Sequence, residues 1–481
     1  MNDSSVGLRG DRGPILLAIM VSSGLAALDS TILATAVPAI VADLGDFAQF
    51  PWLFSIYLLA QAVTVPLYAK FADVIGRKPI LLFGIGLFLV GSILCGSAWS
   101  MPVLILSRGL QGLGAGAILP MTSTIAGDLY SVQERAKVQG YLASVWGISS
   151  VLGPALGGLF SQFLSWRWVF FLNLPLGFAA IFLLVKDFRE KVEHRNHRVD
   201  VAGAVLLTAS LSLLILAILE GGQAWAWNSV PSLAAFAAGA VLLGAFLAVE
   251  RRAAEPVLPL WVFSRRLLIT TSLVSFGVGA ILLGLTSFVP TYLVRTLGVA
   301  PLVAGAAIAA VMVGWPLAAT FSGRFYLRIG FRNTVLIGLA LIVLGVGILA
   351  LFARVPNLTL VTLACLLTGF GFGLSATPIL VAAQSSVPWS ERGVVTGNNQ
   401  FARAVGSAVG VAIFGAVANA VIGLSAQGPR DPSVVETATG RVFLAVLIVA
   451  LATFAAAWAM PRDRAQGQDA AVSAAGSDAD A

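Results

Sequence analysis

Apolar stretches of about twenty residues, separated by short polar loops, fill this chain of 481 residues almost from end to end. A helix of that length crosses the hydrocarbon core of a bilayer and satisfies its backbone hydrogen bonds internally, as lipid requires. Charged residues make up 11% of the chain, against about 25% in an average soluble domain. The pattern predicts an all-α polytopic membrane protein with fourteen spans, at residues 14–38, 52–71, 79–98, 102–127, 136–162, 167–185, 201–220, 231–249, 267–293, 301–323, 333–353, 358–384, 394–422 and 441–461.

Lysines and arginines are distributed unevenly between the two sets of loops. Of the 29 cations, 22 lie in the amino-terminal segment and alternate loops, five lie in the other loops, and two lie inside spans. Loops rich in lysine and arginine stay in the cytoplasm. We therefore expect a multi-pass protein of the cell inner (cytoplasmic) membrane with both termini cytoplasmic. Because the cations follow the topology, the net charge of +7 does not indicate nucleic-acid binding.

A weak internal repeat relates the two ends of the chain. Residues 69–78 align with 323–332 at an offset of 254, and residues 134–158 align with 391–415 at an offset of 257. Parallel repeats build many secondary transporters, which hold their substrate near the bilayer midplane between the repeats. The predicted organisation is a cytoplasmic segment 1–13, a six-helix bundle 14–185, a cytoplasmic loop 186–200, two extra transmembrane helices 201–249, a cytoplasmic loop 250–266, a second six-helix bundle 267–461 and a disordered cytoplasmic tail 462–481.

Three charged side chains, Asp29, Arg108 and Arg403, fall well inside predicted spans. An ionised group at mid-bilayer costs roughly 2.5–3.5 kcal/mol on insertion scales, so each should face a protein-lined or aqueous interior. By the helical rise per residue, Asp29 and Arg108 fall at similar depth in the outer half of the membrane, where they can pair. The alternative role of such a pair is a permanent contact that only fixes helix packing.

An ion pair between Asp29 and Arg108 offers a way to couple proton binding to conformational change. A neighbouring arginine favours the ionised carboxylate, whereas burial favours the protonated form. A change in their distance or hydration therefore loads or releases a proton, which is what a proton antiporter requires. We predict that these two residues form the proton-coupling site, with the proton gradient as the energy source and no cofactor.

Polar and aromatic side chains in other spans are candidates for contact with a substrate. Arg403 follows Asn398 on a polar stretch of the thirteenth span. There it could contact an anionic group, counter a carboxylate, or extend its long side chain to the inner interface. An apolar cavity with a few such groups accepts bulky lipophilic molecules, and simple packing is the alternative role of each residue. The candidates for the substrate cavity are Tyr57, Gln61, Trp146, Trp315, Asn398 and Arg403.

Five short segments resemble the signatures of one transporter family. KFADVIGRK at 70–78 resembles the loop signature of the major facilitator superfamily, and RGLQGLG at 108–114 resembles its fourth-helix signature. GISSVLGPALGG at 147–158 resembles the fifth-helix signature of its antiporters. LDSTILATAVP at 28–38 and WRWVFFLNLP at 166–175 resemble its fourteen-helix drug:proton antiporter branch. The resemblance covers residues 14–460 and implies the major facilitator fold, with two six-helix bundles and two additional helices.

The resemblance also implies a conformational latch on the cytoplasmic side. Asp73, Gly76, Arg77 and Asp128 match the residues of this latch, in which Asp73 caps the amino end of the thirteenth span. Glycine at position 76 allows a tight turn with positive φ. Basic loops that only set the topology are the alternative interpretation.

Two further features follow from the same resemblance. The second-half copy of the loop has Leu327 where an aspartate would stand, so the latch is expected to be partial. The antiporter-type segment of the fifth span would act as a bending or sealing element, and its residues are Gly153, Pro154, Gly157 and Gly158.

These features favour a transporter over other classes of membrane protein. Both histidines, His194 and His197, lie in a polar loop, which supports neither an enzyme nor a metal site. The sequence has no phosphate-binding loop for an ATP-driven pump and no repeated pore signature for a channel. We predict a proton-coupled antiporter of the multidrug efflux type, which exports lipophilic compounds or drugs by alternating access and would confer antibiotic resistance. The alternatives are export of a lipid or a specific metabolite, and proton-coupled import.

The expected partners follow from this function. They are a lipophilic small molecule, protons and the lipid bilayer, without nucleic acid. The oligomeric state is left open by the sequence, with a monomer as the expectation.

Overall fold

The computed structural model of the chain describes residues 7, 10, 12–45, 52–190, 200–221, 225–253, 260–423 and 432–462. The predictions for His194, for His197 and for the tail beyond residue 462 lie outside these residues. The side chain of Pro154 is likewise outside the described part.

Helices make up most of the described chain. They are α1 (Gly13–Leu44), α2 (Trp52–Ile75), α3 (Arg77–Gly96), α4 (Met101–Leu129), α5 (Val132–Phe163), α6 (Trp168–Phe171), α7 (Asn173–Asp187), α8 (Val201–Glu220), α9 (Val230–Glu250), α10 (Arg266–Leu297), α11 (Pro301–Ile329), α12 (Phe331–Leu351), α13 (Leu358–Ser385), α14 (Arg392–Gly423) and α15 (Pro432–Trp458). Short 3-10 turns at Leu260–Phe263 and Trp389–Glu391 precede α10 and α14.

Thirteen helical segments within the described residues are long and apolar enough to cross a membrane. The seventh predicted run corresponds to α8, of which Ala202–Ile218 forms a shorter apolar helix. The protein is therefore an all-helical, multi-pass membrane protein.

The sixth predicted run, 167–185, corresponds to one apolar span, Trp168–Asp187. Within it, α6 and α7 adjoin at Leu172, whose backbone angles, φ −59° and ψ −28°, are helical. Pro175 lies in the first turn of α7 and has no N–H to bond the carbonyl of Phe171, four residues earlier. One helical hydrogen bond is therefore missing at the junction, while the backbone continues in helical conformation.

Several helices extend beyond the apolar runs predicted, and α1 and α15 are two examples. α1 continues to Leu44 instead of ending at residue 38, because Ile40, Val41 and Leu44 pack in a cluster with Leu53. α15 begins at Pro432 instead of residue 441. Hydropathy marks the part of a helix that lies in lipid, whereas packing decides where the helix ends.

Buried side chains form separate cores in the two predicted halves of the chain. In the first half, residues such as Leu16, Ile85 and Phe88 pack together. In the second half, a larger cluster includes Val278 and Phe372. Cys95 and Cys365 are both buried and unbonded to each other.

The hairpin formed by α8 and α9 packs on both halves. Leu207 and Leu211 of α8 lie in a cluster with Val63 of α2, and Phe401 and Ala404 of α14 pack against the same cluster. The hairpin therefore lies across the contact between α2 and α14.

A glycine turn occurs at the same position of the sequence repeat in each half. Gly76, between α2 and α3, has φ 112°, and Gly330, between α11 and α12, has φ 83°. The two positions are separated by the 254-residue offset of the sequence repeat. Both backbone conformations favour glycine because a side chain would clash, and the positive φ predicted at Gly76 is confirmed.

Candidate functional site

A fully buried ion pair joins α1 to α4. Arg108 Nη1 lies 2.7 Å from Asp29 Oδ2, and each side chain is 1% exposed. Asp29 stands in the outer part of α1, while Arg108 stands seven residues into the antiparallel α4. A buried charge is tolerated only when it is paired and hydrogen-bonded, so each of these groups depends on the other.

Two amides complete the hydrogen bonding of the Asp29 carboxylate. Gln111 Nε2 donates to Asp29 Oδ1 over 2.8 Å, and Asn173 Nδ2 donates to the same oxygen over 3.0 Å. Both amides also donate to Ser92 Oγ. The carboxylate thus accepts hydrogen bonds from three side chains, which fix its position between α1, α4 and α7.

Sequence reasoning did not assign Gln111, Asn173 and Ser92 to the site. The spacing of Arg108 and Gln111, three residues apart on one helix, places them on the same face and was an available signal. Asn173 and Ser92 are polar residues within apolar runs, but nothing local in the sequence pairs them with Asp29.

The Arg108 guanidinium is held on its other sides by α2 and α4. Its Nε donates to the Leu53 carbonyl oxygen over 3.2 Å, and its Nη1 donates to Gln111 Oε1 over 2.6 Å. The Tyr57 ring lies 4.1 Å from Arg108 Cζ, which is a cation–π contact. Tyr57, a predicted cavity residue, is buried in this cluster and lies against Arg108.

A second charged cluster joins the halves at the predicted cytoplasmic end. Asp73, near the end of α2, accepts hydrogen bonds from the backbone N–H groups of Gly393 (3.1 Å) and Val394 (2.9 Å). These groups belong to the first turn of α14, the thirteenth predicted span. A carboxylate of the first half therefore caps a helix of the second half, and the helix dipole favours this charge.

Arg77 is the buried centre of this second cluster. It lies 2.8 Å from Asp73 Oδ1 and 3.1 Å from Asp128 Oδ2. Its guanidinium stacks on the Trp389 ring at 3.8 Å and donates to the Trp389 carbonyl oxygen. Arg392 also pairs with Asp128, at 3.2 Å. The four residues predicted for the latch, including the Gly76 turn, thus lie together.

The equivalent contact in the second half has a different chemistry. Leu327, at the position equivalent to Asp73, is exposed. The amino end of α5 is served by Glu134 of the same helix, which accepts from the Ser131 N–H over 2.8 Å. Between the halves here, the Tyr326 hydroxyl donates to the Val132 carbonyl, and Arg135 Nη1 donates to Ser385 Oγ over 3.2 Å. Among the described residues, a carboxylate from the opposite half therefore caps α14, whereas the carboxylate at the start of α5 belongs to α5 itself.

The hydrogen bonds and ion pairs that join the two halves in the described residues lie at the predicted cytoplasmic end. They connect the turn after α2 and the inner ends of α4 and α5 to α11, α13 and α14. This conformation is closed on that side.

The antiporter-type segment brings α5 close to α1. A Cβ added at Gly153 would stand 2.8 Å from Thr31 Cβ, and one at Gly157 would overlap Thr35 and the Ile32 carbonyl. The Thr31 hydroxyl donates to the Ser149 carbonyl oxygen over 2.9 Å. A Cβ at Gly158 would meet nothing within 4 Å. Close approach therefore requires glycine at 153 and 157, while α5 continues through Pro154.

The remaining cavity candidates lie in different environments. The Trp315 ring packs on Phe372 at 5.2 Å, in the second-half core. Asn398 donates to Ser272 Oγ over 2.7 Å. Gln61 and Trp146 are partly buried.

Of these candidates, Arg403 lines a cavity. The cavity lies between α10, α13 and α14, and its lining residues are Ser275, Val278, Ala376, Ile379, Leu380, Asn399, Gln400 and Arg403.

Comparison with known proteins identifies the family. Residues 19–411 match the family model described as Major Facilitator Superfamily. The chain belongs to the major facilitator superfamily. This major facilitator protein is a transporter and not an enzyme.

Relatives of this major facilitator protein carry transporter names. It is 36% identical to Multidrug resistance protein 3 of Bacillus subtilis, over 84% of this chain and 79% of that protein. It is 32% identical to Multidrug transporter protein MdtP of the same organism, over 87% and 78% of the two chains.

A solved structure shows the fold. The proton:xylose symporter XylE superposes with a TM-score of 0.64 at 13% identity, over 93% of this chain and 96% of that one. The major facilitator fold expected from the sequence is thereby confirmed.

Proposed function

We propose that this protein is a proton-coupled antiporter that exports lipophilic compounds across the cytoplasmic membrane by alternating access. The observation that carries the proposal is the buried pair of Asp29 and Arg108, with its three donors to one carboxylate. An ionisable group inside a membrane protein marks an ion or proton pathway by default. The names of the two Bacillus relatives support efflux of many compounds.

We further assign the protein to the fourteen-helix branch of the family. Helices α8 and α9 are the additional pair, inserted between two six-helix bundles. Their apolar lengths support this assignment, and the motifs at 28–38 and 166–175 resemble that branch.

The proposed cycle uses the competition between a proton and Arg108 for Asp29. In the conformation closed at the cytoplasmic end, Asp29 is ionised and held by Arg108, Gln111 and Asn173. A proton that enters from the outer side neutralises Asp29 and releases Arg108. The two helices that carry the pair then lose their strongest mutual contact, and the halves rock to the other opening. There the proton leaves and a substrate binds.

The experiment is transport of ethidium by Asp29→Asn in proteoliposomes with an imposed pH gradient. Asparagine keeps the shape of the side chain and cannot bind and release the proton, so we expect the initial rate to fall at least about tenfold. The matched control is Asp43→Asn on the same helix, because Asp43 pairs with Arg167 at the protein surface. We expect this control to transport like the wild type.

The same assay separates the alternatives. Undiminished transport by Asp29→Asn, or transport that ignores the pH gradient, contradicts proton coupling at this residue. Dye that moves in the same direction as protons indicates an importer.

A further inference from the structure

Arg403 is a cation in the middle of a membrane-spanning helix. It stands eleven residues beyond Arg392, the first residue of α14, which places it about 16 Å along the helix axis. That depth is close to the centre of a hydrocarbon core about 30 Å thick. Its side chain lies in the cavity with residues of α10 and α13, inside the second half.

Arg403 has no acidic partner in the described part of the chain. Its hydrogen bond there goes to the Gln400 side-chain oxygen. The two fully buried arginines differ, because Arg108 lies 2.7 Å from Asp29 and Arg77 lies 2.8 Å from Asp73. Of the described residues that line the cavity, none is acidic. Among the described residues, no acidic side chain therefore compensates the positive charge of Arg403 in this conformation.

The neighbouring amides use their oxygens in hydrogen bonds with other side chains. Arginine has no acceptor, so Gln400 must present its oxygen to Arg403, and the remaining polar group of Gln400 is its NH2. Asn399 accepts from the Ser275 hydroxyl with its oxygen, which likewise leaves an NH2 group. The polar groups that remain for a ligand are thus a guanidinium and two amide donors. Such a set binds an anionic oxygen group.

The rest of the cavity wall is apolar. Val278, Ala376, Ile379 and Leu380 line it, and its volume is about 30 Å³ in this conformation. A cavity needs about 10–15 Å³ to hold one water molecule, whereas pockets that enclose a drug-sized molecule have volumes of about 300–1,000 Å³. In this conformation the cavity therefore admits only a small polar group, and the apolar body of a ligand would extend beyond it.

We propose that Arg403, Asn399 and Gln400 bind the sulfonate, carboxylate or phosphate group of a lipophilic organic anion that the protein transports. The inference rests on the proposed export function and names a substrate class for it. It places the anion site in the second half, whereas the proton site lies in the first half.

The test measures binding to the purified protein in a neutral detergent, which does not require transport. The probes are 8-anilinonaphthalene-1-sulfonate and N-phenyl-1-naphthylamine, which share the aromatic body and differ in the sulfonate. Apparent affinity is read from the ligand-dependent rise in Tm, since a ligand that binds the folded state stabilises it. The variants are Arg403→Gln and Arg403→Lys, with Arg328→Gln as the matched control, because Arg328 is exposed near the end of α11.

We expect Arg403→Gln to bind the sulfonate at least about tenfold more weakly and the uncharged amine as the wild type does. The sulfonate affinity of Arg403→Lys should lie between those of the wild type and Arg403→Gln, since lysine keeps the positive charge and lacks the planar guanidinium group. Equal sulfonate affinity in the wild type and Arg403→Gln overturns the proposal. If Arg403→Gln cannot be purified as a monodisperse protein, an unchanged affinity in Arg403→Lys overturns it instead.

Two further arms separate this inference from the other possibilities. If phosphatidylglycerol displaces the sulfonate, the natural ligand of the site is a phospholipid. That result overturns the assignment to a transported organic anion. In proteoliposomes, ethidium transport together with Arg403-independent transport of the sulfonate overturns the inference and leaves the export function standing. Sulfonate binding that depends on Arg403, without transport of either dye, supports the anion site and contradicts the export function.

Discussion

At the scale of single residues, the hydrogen bonds around Asp29 hold its carboxylate in place against Arg108. One oxygen faces Arg108, and the other accepts from Gln111 and Asn173. A hydrogen bond to a charged group is worth about 1.5–3 kcal/mol. Loss of one of these donors is therefore expected to disturb the site.

Replacing Asn173 with leucine removes one donor and leaves the ion pair in place. The carboxylate is then held by one amide fewer, and a hydrogen bond to a charged group contributes about 1.5–3 kcal/mol, so we expect the rate of ethidium transport to fall about tenfold. The measurement is the initial transport rate in proteoliposomes at a fixed pH gradient. Asn333→Leu, at the start of α12, is the control, since its amide bonds a carbonyl of the preceding turn. An undiminished rate in Asn173→Leu would mean that this amide has no part in transport.

At the scale of elements, the amino end of α14 depends on a carboxylate from another helix, whereas α5 carries its own. Asp73 of α2 accepts from two N–H groups of α14, while Glu134 serves α5 from within. Separation of the halves at this end breaks the cap on α14 and leaves the cap on α5 intact. The contact of Asp73 with α14 therefore stabilises the closed conformation, whereas the contact of Glu134 within α5 does not.

Asp73→Asn should weaken the closed cytoplasmic side. It removes a charge that the helix end favours by about 0.3–1 kcal/mol and also breaks the pair with Arg77. We expect slower ethidium transport with normal membrane insertion, together with faster thiol labelling of Ser123→Cys, because Ser123 is buried at the contact between the halves. Glu134→Gln is the matched control, because it changes a capping carboxylate that does not bridge the halves. If Asp73→Asn transports ethidium and is labelled at the rates of the wild type, the latch is contradicted. The basic loop would then serve only to set the membrane topology.

At the scale of the whole molecule, the α8–α9 hairpin connects the two halves from the side. Its buried face packs on α2 and α14, which belong to different halves. Helix packing in lipid depends on close van der Waals contact, because the lipid tails are as apolar as the side chains. A shape defect in this face therefore weakens the attachment of the hairpin.

Leu211→Ala tests that attachment, because Leu211 is buried in the shared cluster. The cavity it leaves should destabilise the protein by about 2 kcal/mol and lower Tm. Val205→Ala is the control on the same helix, since Val205 is 61% exposed and should leave Tm nearly unchanged. Equal Tm values for the two variants would place the hairpin outside the cooperative structure.

Local patterns predicted much of this molecule. The apolar runs anticipated the spanning helices, and the turn at Gly76 was predicted from its sequence. The capping of α14 by Asp73 was expected from the family resemblance alone. The roles assigned to Asp29, Arg108 and the substrate-cavity residues stay predictions.

The sequence by itself determined the membrane environment, the helices and the presence of three charges inside them, because these depend on residues that lie within about twenty positions of one another. Only the tertiary structure decided which groups those charges meet. Asp29 contacts residues 79, 82 and 144 positions away, whereas Arg403 meets no acid in the described chain. Such contacts depend on how helices distant in sequence cross, and no local periodicity encodes that geometry.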